Sequence, residues 1–200
     1  IANENVLAPT RDIMPFFLYL MKSIGYGRDK INMQEVQRLN NLLQSRGDTF
    51  DLVINQESTA KTITNHCLNA GFCELIVDRG IITPIRDELP TDPISRVYTP
   101  YDYTKPLVEA TTLPHPDEID GVEVEYVDYQ TGRPDKLTYL LPTDEGLRIE
   151  SITAIGVTDR VKAGRIAARH RRKQFYGRTT FRGGTALQAF TSHYLDVVGL

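Results

Sequence analysis

A run of carboxylates lies in the stretch "HPDEIDGVEVE" at 115–125, and its members are Asp117, Glu118, Asp120, Glu123 and Glu125. Two carboxylates held in a pocket can perform acid–base or glycosidase chemistry. Carboxylates also bind calcium, but this stretch lacks the alternating Asp/Asn ligands of an EF-hand loop. Glu123 and Glu125 are two residues apart, which places both on one face of a strand. We therefore expect a solvated acidic surface here and no catalytic pair.

The basic residues are concentrated in "DRVKAGRIAARHRRKQFYGRTTFR" at 159–182. This segment holds nine Lys or Arg and one acid, whereas the rest of the chain holds 14 basic and 25 acidic residues. Such a segment can bind phosphates without reading base sequence. However, Phe175, Tyr176 and Phe181 do not have the spacing of a base-stacking platform.

Carboxylates of the same molecule or of a neighbouring subunit are simpler partners for these cations. We expect an ionic face in which acidic residues between Asp117 and Glu125 contact arginines of the basic segment. The arginines concerned are Arg165, Arg169, Arg171 and Arg172. A nucleic-acid-binding module built on 159–182 remains the alternative, although we expect no stable nucleic-acid complex.

Nucleophiles and metal ligands do not form a recognisable constellation. The serines Ser58, Ser95, Ser151 and Ser192 lack a G-x-S-x-G context. His193 in "TSHYLD" is better explained by a local hydrogen bond than by catalysis. Cys67 and Cys73 are expected to be small buried apolar residues, and His66 beside Cys67 has no second ligand pair for zinc. We predict no enzyme activity, no cofactor and no metal.

The composition is that of an ordinary soluble globular protein, with 40% hydrophobic and 24% charged residues. The longest apolar run, "IMPFFLYLM", is interrupted by Pro15 and followed by Lys22, so we expect no membrane span. The chain begins at Ile1 without a methionine and ends on "LDVVGL". We interpret it as a piece of a longer protein.

The first 88 residues predict helices followed by a β-α-β-β unit. Thr10 is expected to cap a helix over 11–23. Asn32 and Glu35 are expected to form a capping box at the start of a second helix, which ends at Gly47. "FDLVI" at 50–54 predicts a strand, and Ser58 or Thr59 caps a helix to Ala70 with a left-handed turn at Gly71. The strands 73–77 and 81–86 form a hairpin around Asp78-Arg79-Gly80.

A proline-rich connector at 89–116, with only short extended pieces, is expected to separate this unit from a second subdomain at 117–200. There the alternation in 122–129 and 136–141 predicts an antiparallel hairpin, and 148–156 another strand. A helix from about 159 follows, with Ala163, Ile166, Ala167 and His170 on its buried face. The strand 178–182, a Gly183-Gly184 turn and a strand at 195–200 complete a predicted α+β fold.

The order of these segments resembles that of phage tail-tip proteins of the tip attachment protein J family. "FDLVINQESTAKTITNHCLNAGFCELIVDRGIITPIRDE" at 50–88 is similar to that family's strand, short helix and hairpin. "RVYTPYDY" and "DGVEVEYVD" resemble two of its later strands. The stretch from Thr158 to Leu200 resembles its Ala-, Gly- and Arg-rich helix, strand and final turn. The resemblance spans nearly the whole chain.

The resemblance implies a structural virion protein, a fragment of the central hub at the distal end of a siphophage or prophage tail. Such hubs are trimeric, contact other tail proteins, enclose the channel through which the genome leaves, and perform no chemical step. The implied location is the virion tail, assembled in the cytoplasm of a bacterial host. Receptor binding in this family lies in regions C-terminal to this one, and the arginine-rich helix is a scaffold helix. A hydrolase that opens the host envelope is a third hypothesis, which would need two convergent carboxylates.

Overall fold

A computed structural model describes residues 10–54, 57–88, 94, 96–115, 117–186, 191–192 and 194–199. Its helices are α1 (Ile13–Ser23), α2 (Met33–Arg46), α3 (Ala60–Ala70) and α4 (Arg160–Tyr176). Its strands are β1 (Cys73–Asp78), β2 (Ile81–Arg86), β3 (Arg96–Val97), β4 (Tyr103–Thr111), β5 (Gly121–Val127), β6 (Pro134–Tyr139), β7 (Ile149–Thr153), β8 (Thr179–Thr185) and β9 (Val198–Gly199). Helices combined with antiparallel hairpins confirm the predicted α+β class. Among the described residues, no helix is long and apolar enough to cross a membrane.

The first two helices begin and end close to the predicted residues. The Asn32 side chain accepts a 3.1 Å hydrogen bond from the Glu35 amide at the start of α2, and Gly47 takes a left-handed φ of 68° at its end. Helix α1 begins two residues later than predicted, because the Thr10 hydroxyl accepts from the Asp12 amide before the first turn. Asp12 is therefore the N-cap residue of α1.

The predicted strand at 50–54 is wrong, and the expected β-α-β-β unit is reduced to α3-β1-β2. The Phe50 amide donates to the carbonyl of Arg11, whereas the next amide, that of Asp51, donates to the carbonyl of Gly156. These two bonds lead to different loops, so no neighbouring strand pairs with this segment. Phe50 is buried in the core instead, and Val53 is 85% exposed.

Helix α3 ends differently from the prediction, although Thr59 caps its start by accepting from the Thr62 amide. Gly71 has φ −99°, and the left-handed residue is Phe72 with φ 58°. A Cβ on Gly71 would lie 3.0 Å from Leu43 Cδ2 and 3.1 Å from Ile13 Cδ1. The glycine is therefore explained by the close approach of α1 and α2.

The hairpin of β1 and β2 forms from the predicted strands, and its turn lies within the predicted Asp78-Arg79-Gly80. Cys73 is opposite Arg86, and Asp78 is opposite Ile81. Arg79 and Gly80 both have positive φ, at 49° and 80°, which is the backbone of a two-residue type I′ turn.

The range 89–116 contains more regular structure than predicted, since it carries β3 and the nine-residue strand β4. Strand β4 pairs antiparallel with β8, and β3 pairs parallel with β9. Gly183 and Gly184 lie inside β8, so the predicted turn there is wrong. A Cβ on Gly183 would lie 2.6 Å from the Tyr103 ring, so the glycine lets the two strands approach. The residues 89–93, 95 and 116 lie outside the described residues, and the division into subdomains 1–88 and 117–200 stays a prediction.

Strand β5 is the centre of a three-stranded sheet in the order β6-β5-β7. It pairs antiparallel with β6, as predicted, and parallel with β7. Val122 and Val124 are fully buried on one face of β5, and α4 packs against β5 and β6. Buried side chains of α1 and α2, such as Phe17 and Leu39, belong to the same hydrophobic cluster as those of β5 and α4.

Candidate functional site

Helix α4 holds the basic segment against the sheet, and its local sequence explains its position. The Asp159 carboxylate accepts a 2.8 Å hydrogen bond from the Lys162 amide and caps the helix. Ala163 and Ala167 are completely buried, and a Cβ on Gly164 would lie 3.0 Å from Leu137 of β6. The predicted buried face is confirmed at Ala163 and Ala167, whereas Ile166 is partly buried and the His170 side chain is 40% exposed. Most of the cations project from the remaining sides of the helix.

Arg171 is the most deeply buried arginine of the predicted ionic face. Its Nε donates to Asp144 Oδ2 at 2.7 Å and its Nη2 donates to Oδ1 at 2.5 Å. The two side chains are only 5% and 2% exposed. Asp144 also accepts from the Leu141 amide at 2.7 Å. These hydrogen bonds, that of Arg171 first, hold the pKa of Asp144 below its usual 3.8.

Arg169 connects α4 to Asp87, the residue that comes directly after β2. Its Nη2 donates to the Asp87 carboxylate at 2.5 Å, and its Nη1 donates to the Asp87 carbonyl at 3.1 Å. The guanidinium also lies 5.1 Å from the centre of the Phe72 ring, which Arg86 approaches at 5.6 Å. Phe72 therefore makes cation–π contacts with two arginines.

Arg165 and Arg172 make weaker contacts on the exposed flanks of α4. Arg165 Nη1 lies 4.0 Å from Oδ1 of the buried Asp48. Arg172 Nη2 donates a 3.3 Å hydrogen bond to the Tyr139 hydroxyl on β6. The Arg172 contact is exposed, and exposed contacts contribute little stability, since water screens them.

The acidic stretch at 117–125 meets the basic segment at Arg178, which was not among the four arginines named from the sequence. Arg178 makes two hydrogen bonds to Glu118, at 2.7 and 3.0 Å, and these lower the pKa of that carboxyl below 4.5. Asp117 pairs with Arg148. The structure thus brings the two stretches together just beyond the end of α4. That these residues form an interface between subunits stays a prediction.

Of the three remaining carboxylates of the acidic stretch, Asp120 and Glu123 accept hydrogen bonds and Glu125 lines a groove. Asp120 accepts from the amides of Leu147 and Arg148, at 2.9 and 2.6 Å, and these bonds lower its pKa. Glu123 accepts a 2.8 Å hydrogen bond from Lys136 across the β5–β6 pair. Glu125 lies in the wall of a groove at the end of the sheet. This distribution is that of a structural surface, because Asp120 and Glu123 bind different groups of the same chain.

Lys162 is a buried cation that the sequence analysis missed. It is 3% exposed, and its ammonium donates to the carbonyl of Thr49. Burial lowers its pKa below 10.5, while nearby Asp48 and Asp51 oppose that shift. Its spacing could have predicted this burial, because Lys162 lies four residues before Ile166 on the packed side of α4. Asp144 was missed as well, since a loop residue has no periodicity that reveals its partner.

A groove lies beside residues 50–54. Its volume is about 740 Å³. It is lined mainly by apolar side chains and backbone, including Phe16, Phe50, Leu52, Val53, Val127, Ile155, Gly156 and Val157. Its carboxylates are Asp51, which Arg11 holds at 2.6 and 2.5 Å, and Glu125. It is thus a mainly apolar surface.

The candidate nucleophiles and metal ligands remain scattered. Cys67 and Cys73 are buried and unpaired, as predicted, and burial raises the pKa of each thiol to about 12. Ser192 hydrogen-bonds Tyr98 at 2.6 Å, whereas Ser95 and His193 lie outside the described residues. Across the described ranges, no group of three His, Cys, Asp or Glu residues could hold a metal ion.

Comparison with known proteins finds only distant structural likeness. No family model matches the chain, and no curated protein matches it. Among solved structures, the chain is similar to the tail protein from Neisseria meningitidis MC58, with 12% identity and a TM-score of 0.46. The similarity covers 72% of this chain and 48% of that chain, so this chain spans about half the length of that protein.

Proposed function

We propose that this chain is a structural virion protein, a fragment of a phage or prophage tail-tip hub that acts in tail assembly, host attachment and genome delivery. The support from sequence is the resemblance to tip attachment proteins, which covers nearly the whole chain in the expected order. The observation that carries the proposal is the use of the α4 cations. Arg171 and Arg169 bind Asp144 and Asp87 of the same chain, so these cations of the basic helix hold the fold together, as the resemblance implies for a scaffold helix.

The same observation weighs against the alternative of a nucleic-acid-binding module on 159–182. A nucleic-acid grip needs cations that are free to meet phosphates. In this chain Arg171 is buried with its carboxylate, and Arg178 beyond the helix is bound to Glu118. The positive charge is therefore largely neutralised within the molecule.

The proposed partners are other tail proteins and two further copies of the chain in a trimeric ring, within a virion tail assembled in the bacterial cytoplasm. A receptor would contact regions outside this fragment. Function in such a scaffold depends on surfaces that pack, and no step requires a nucleophile, metal or cofactor.

Electron microscopy of purified particles tests this proposal. The full-length gene would carry an epitope tag in its own prophage or phage, and gold-labelled antibody would mark the tagged protein. Labels at the distal end of the tail, together with tailless or non-adsorbing particles when the gene is deleted, are the expected result. Normal, infectious particles without the protein would overturn the proposal.

A further inference from the structure

We propose that the chain opens and recloses at an interface between two units, and that the buried ammonium of Lys162 holds this interface closed. The N-terminal unit is 10–88. The sheet unit is 121–176, which contains β5, β6, β7 and α4. The inference concerns how the chain moves, so it goes beyond the proposed scaffold role and does not depend on it.

Each unit completes its own strand pairing. Strands β1 and β2 pair with each other in the N-terminal unit, and β6, β5 and β7 pair in the sheet unit. Among the described residues, no strand of one unit pairs with a strand of the other. The Asp51 amide donates across the interface to the Gly156 carbonyl at 2.9 Å. Because no sheet is shared, the units can separate while each keeps its strands paired.

Two grooves reduce the area over which the units touch. The groove beside 50–54, of about 740 Å³, is lined by residues of both units. A second groove, of about 310 Å³, lies between 66–74 of the N-terminal unit and α4, and 153–155 line both grooves. Closely packed protein interiors contain few voids larger than a water molecule. The two units therefore meet over a narrower surface than a continuous core would give.

Lys162 reaches across this surface from the first turn of α4. The residue is 3% exposed, and its ammonium donates to the Thr49 carbonyl of the N-terminal unit. The side chain of Asp48, which attracts the ammonium, is 1% exposed, and its Oδ2 accepts no hydrogen bond from the described residues. Arg46 Nε lies 3.5 Å from this oxygen, and Arg165 Nη1 lies 4.0 Å from the other. Buried charges of this kind can fix one arrangement while stabilising it less than apolar packing would.

A second polar contact joins the same two units about two turns further along α4. Arg169 binds the carboxylate of Asp87, and the two side chains are 37% and 47% exposed. Its other contacts are with the Asp87 carbonyl and the Phe72 ring, so it does not touch 50–54. Loss of the Arg169 contact should therefore favour the same opening as loss of the Lys162 contact.

Hydrogen exchange of the 200-residue chain, resolved by residue with NMR, tests the opening. Two adjacent amides form a matched pair, because Asp51 donates across the interface, whereas Phe50 donates to Arg11 within the N-terminal unit. After correction for intrinsic rates, the Asp51 amide should exchange at least about tenfold faster than the Phe50 amide and the amides of β5.

Variants connect this exchange to the interface. Lys162→Met should accelerate exchange at Asp51 at least about tenfold. Arg169→Gln should accelerate it at least about threefold. The Phe50 amide should be unchanged in both. Lys136→Met is the matched control, because Lys136 forms its ion pair within the sheet unit, and it should leave the Asp51 rate unchanged. If Lys162→Met does not fold, the parent chain and Arg169→Gln decide the question.

Equal protection of the Asp51 and Phe50 amides in the parent chain would overturn the proposal, because the units would then separate only by global unfolding. An Asp51 rate that Arg169→Gln leaves unchanged would overturn it as well, since the segment 50–54 would then open by itself. So would equal acceleration by Lys162→Met and Lys136→Met. None of these results bears on the tail location, which microscopy decides.

Discussion

Arg171 and Asp144 form a two-hydrogen-bond ion pair in which both side chains are almost completely buried. The pair connects the last turns of α4 to the loop that follows β6. Burial removes water from both charges, so each depends on the other for compensation. The most buried arginine of the basic helix therefore has a structural partner, and its charge is not available at the surface.

Replacing Asp144 by Ala should lower the free energy of unfolding by about 3–5 kcal/mol, because Arg171 would be left buried without a counter-ion. The double variant Arg171→Met with Asp144→Leu should recover most of that loss, since no charge then remains buried. Urea denaturation followed by circular dichroism measures both. An unfolding free energy of Asp144→Ala within about 1 kcal/mol of the parent value would contradict the structural role of the pair.

The same pair should make stability depend on pH in the acidic range. The folded-state pKa of Asp144 lies below 3.8, so its stabilising contribution is complete above that pH and is lost as pH falls through the folded-state pKa. The difference in unfolding free energy between the parent and Asp144→Asn should be constant near neutrality and shrink below about pH 3.8. Denaturation midpoints measured from pH 7 to pH 2 check this, and a constant difference throughout would refute it.

Gly156 and Gly132 offer a matched pair of substitutions, since both have positive φ, at 76° and 65°. A Cβ at position 156 would lie 2.1 Å from Phe50 Cε2, whereas nothing lies within 4 Å at position 132. Gly132→Ala should cost about 1 kcal/mol of backbone strain. Gly156→Ala should cost about 1–3 kcal/mol more, because the buried Phe50 ring must move. Equal thermal shifts for the two variants would contradict this packing.

The two thiols should be unreactive in the folded protein. Cys67 and Cys73 are buried, and a pKa of about 12 leaves almost no thiolate at pH 8. Ellman's reagent should report two thiols per chain in urea and almost none without it. Rapid labelling of the folded chain would show that the contact between α3 and β1 opens readily.

The chain should bind nucleic acid weakly if at all. Fluorescence anisotropy with a labelled duplex at 150 mM salt should give a Kd above about 10 µM, within the range of non-specific contact. Lys173→Ala removes an exposed cation of α4 and should change little. Sub-micromolar binding that weakens steeply with added salt would instead favour the nucleic-acid-binding alternative.

Local sequence signals predicted the elements that depend on neighbouring residues. The caps at Asn32 and Thr59 formed because a side chain three residues before an unpaired amide can reach it in almost any fold. The turn at Arg79-Gly80 and the alternation of β5 are local for the same reason.

Long-range pairing decided the rest. The segment 50–54 has the composition of a strand, but its amides meet Arg11 and Gly156 from distant parts of the chain. The pair Gly183-Gly184 is typical of a turn, but Gly183 lies within strand β8, where Tyr103 of β4 packs against it.

From the sequence alone, helix α4 was determined to be basic, amphipathic and packed through its alanines. Only the tertiary structure decided which carboxylates its arginines meet. Charge has no period that encodes a partner, and Asp87 and Asp144 reach α4 solely because the strands preceding them carry their loops there.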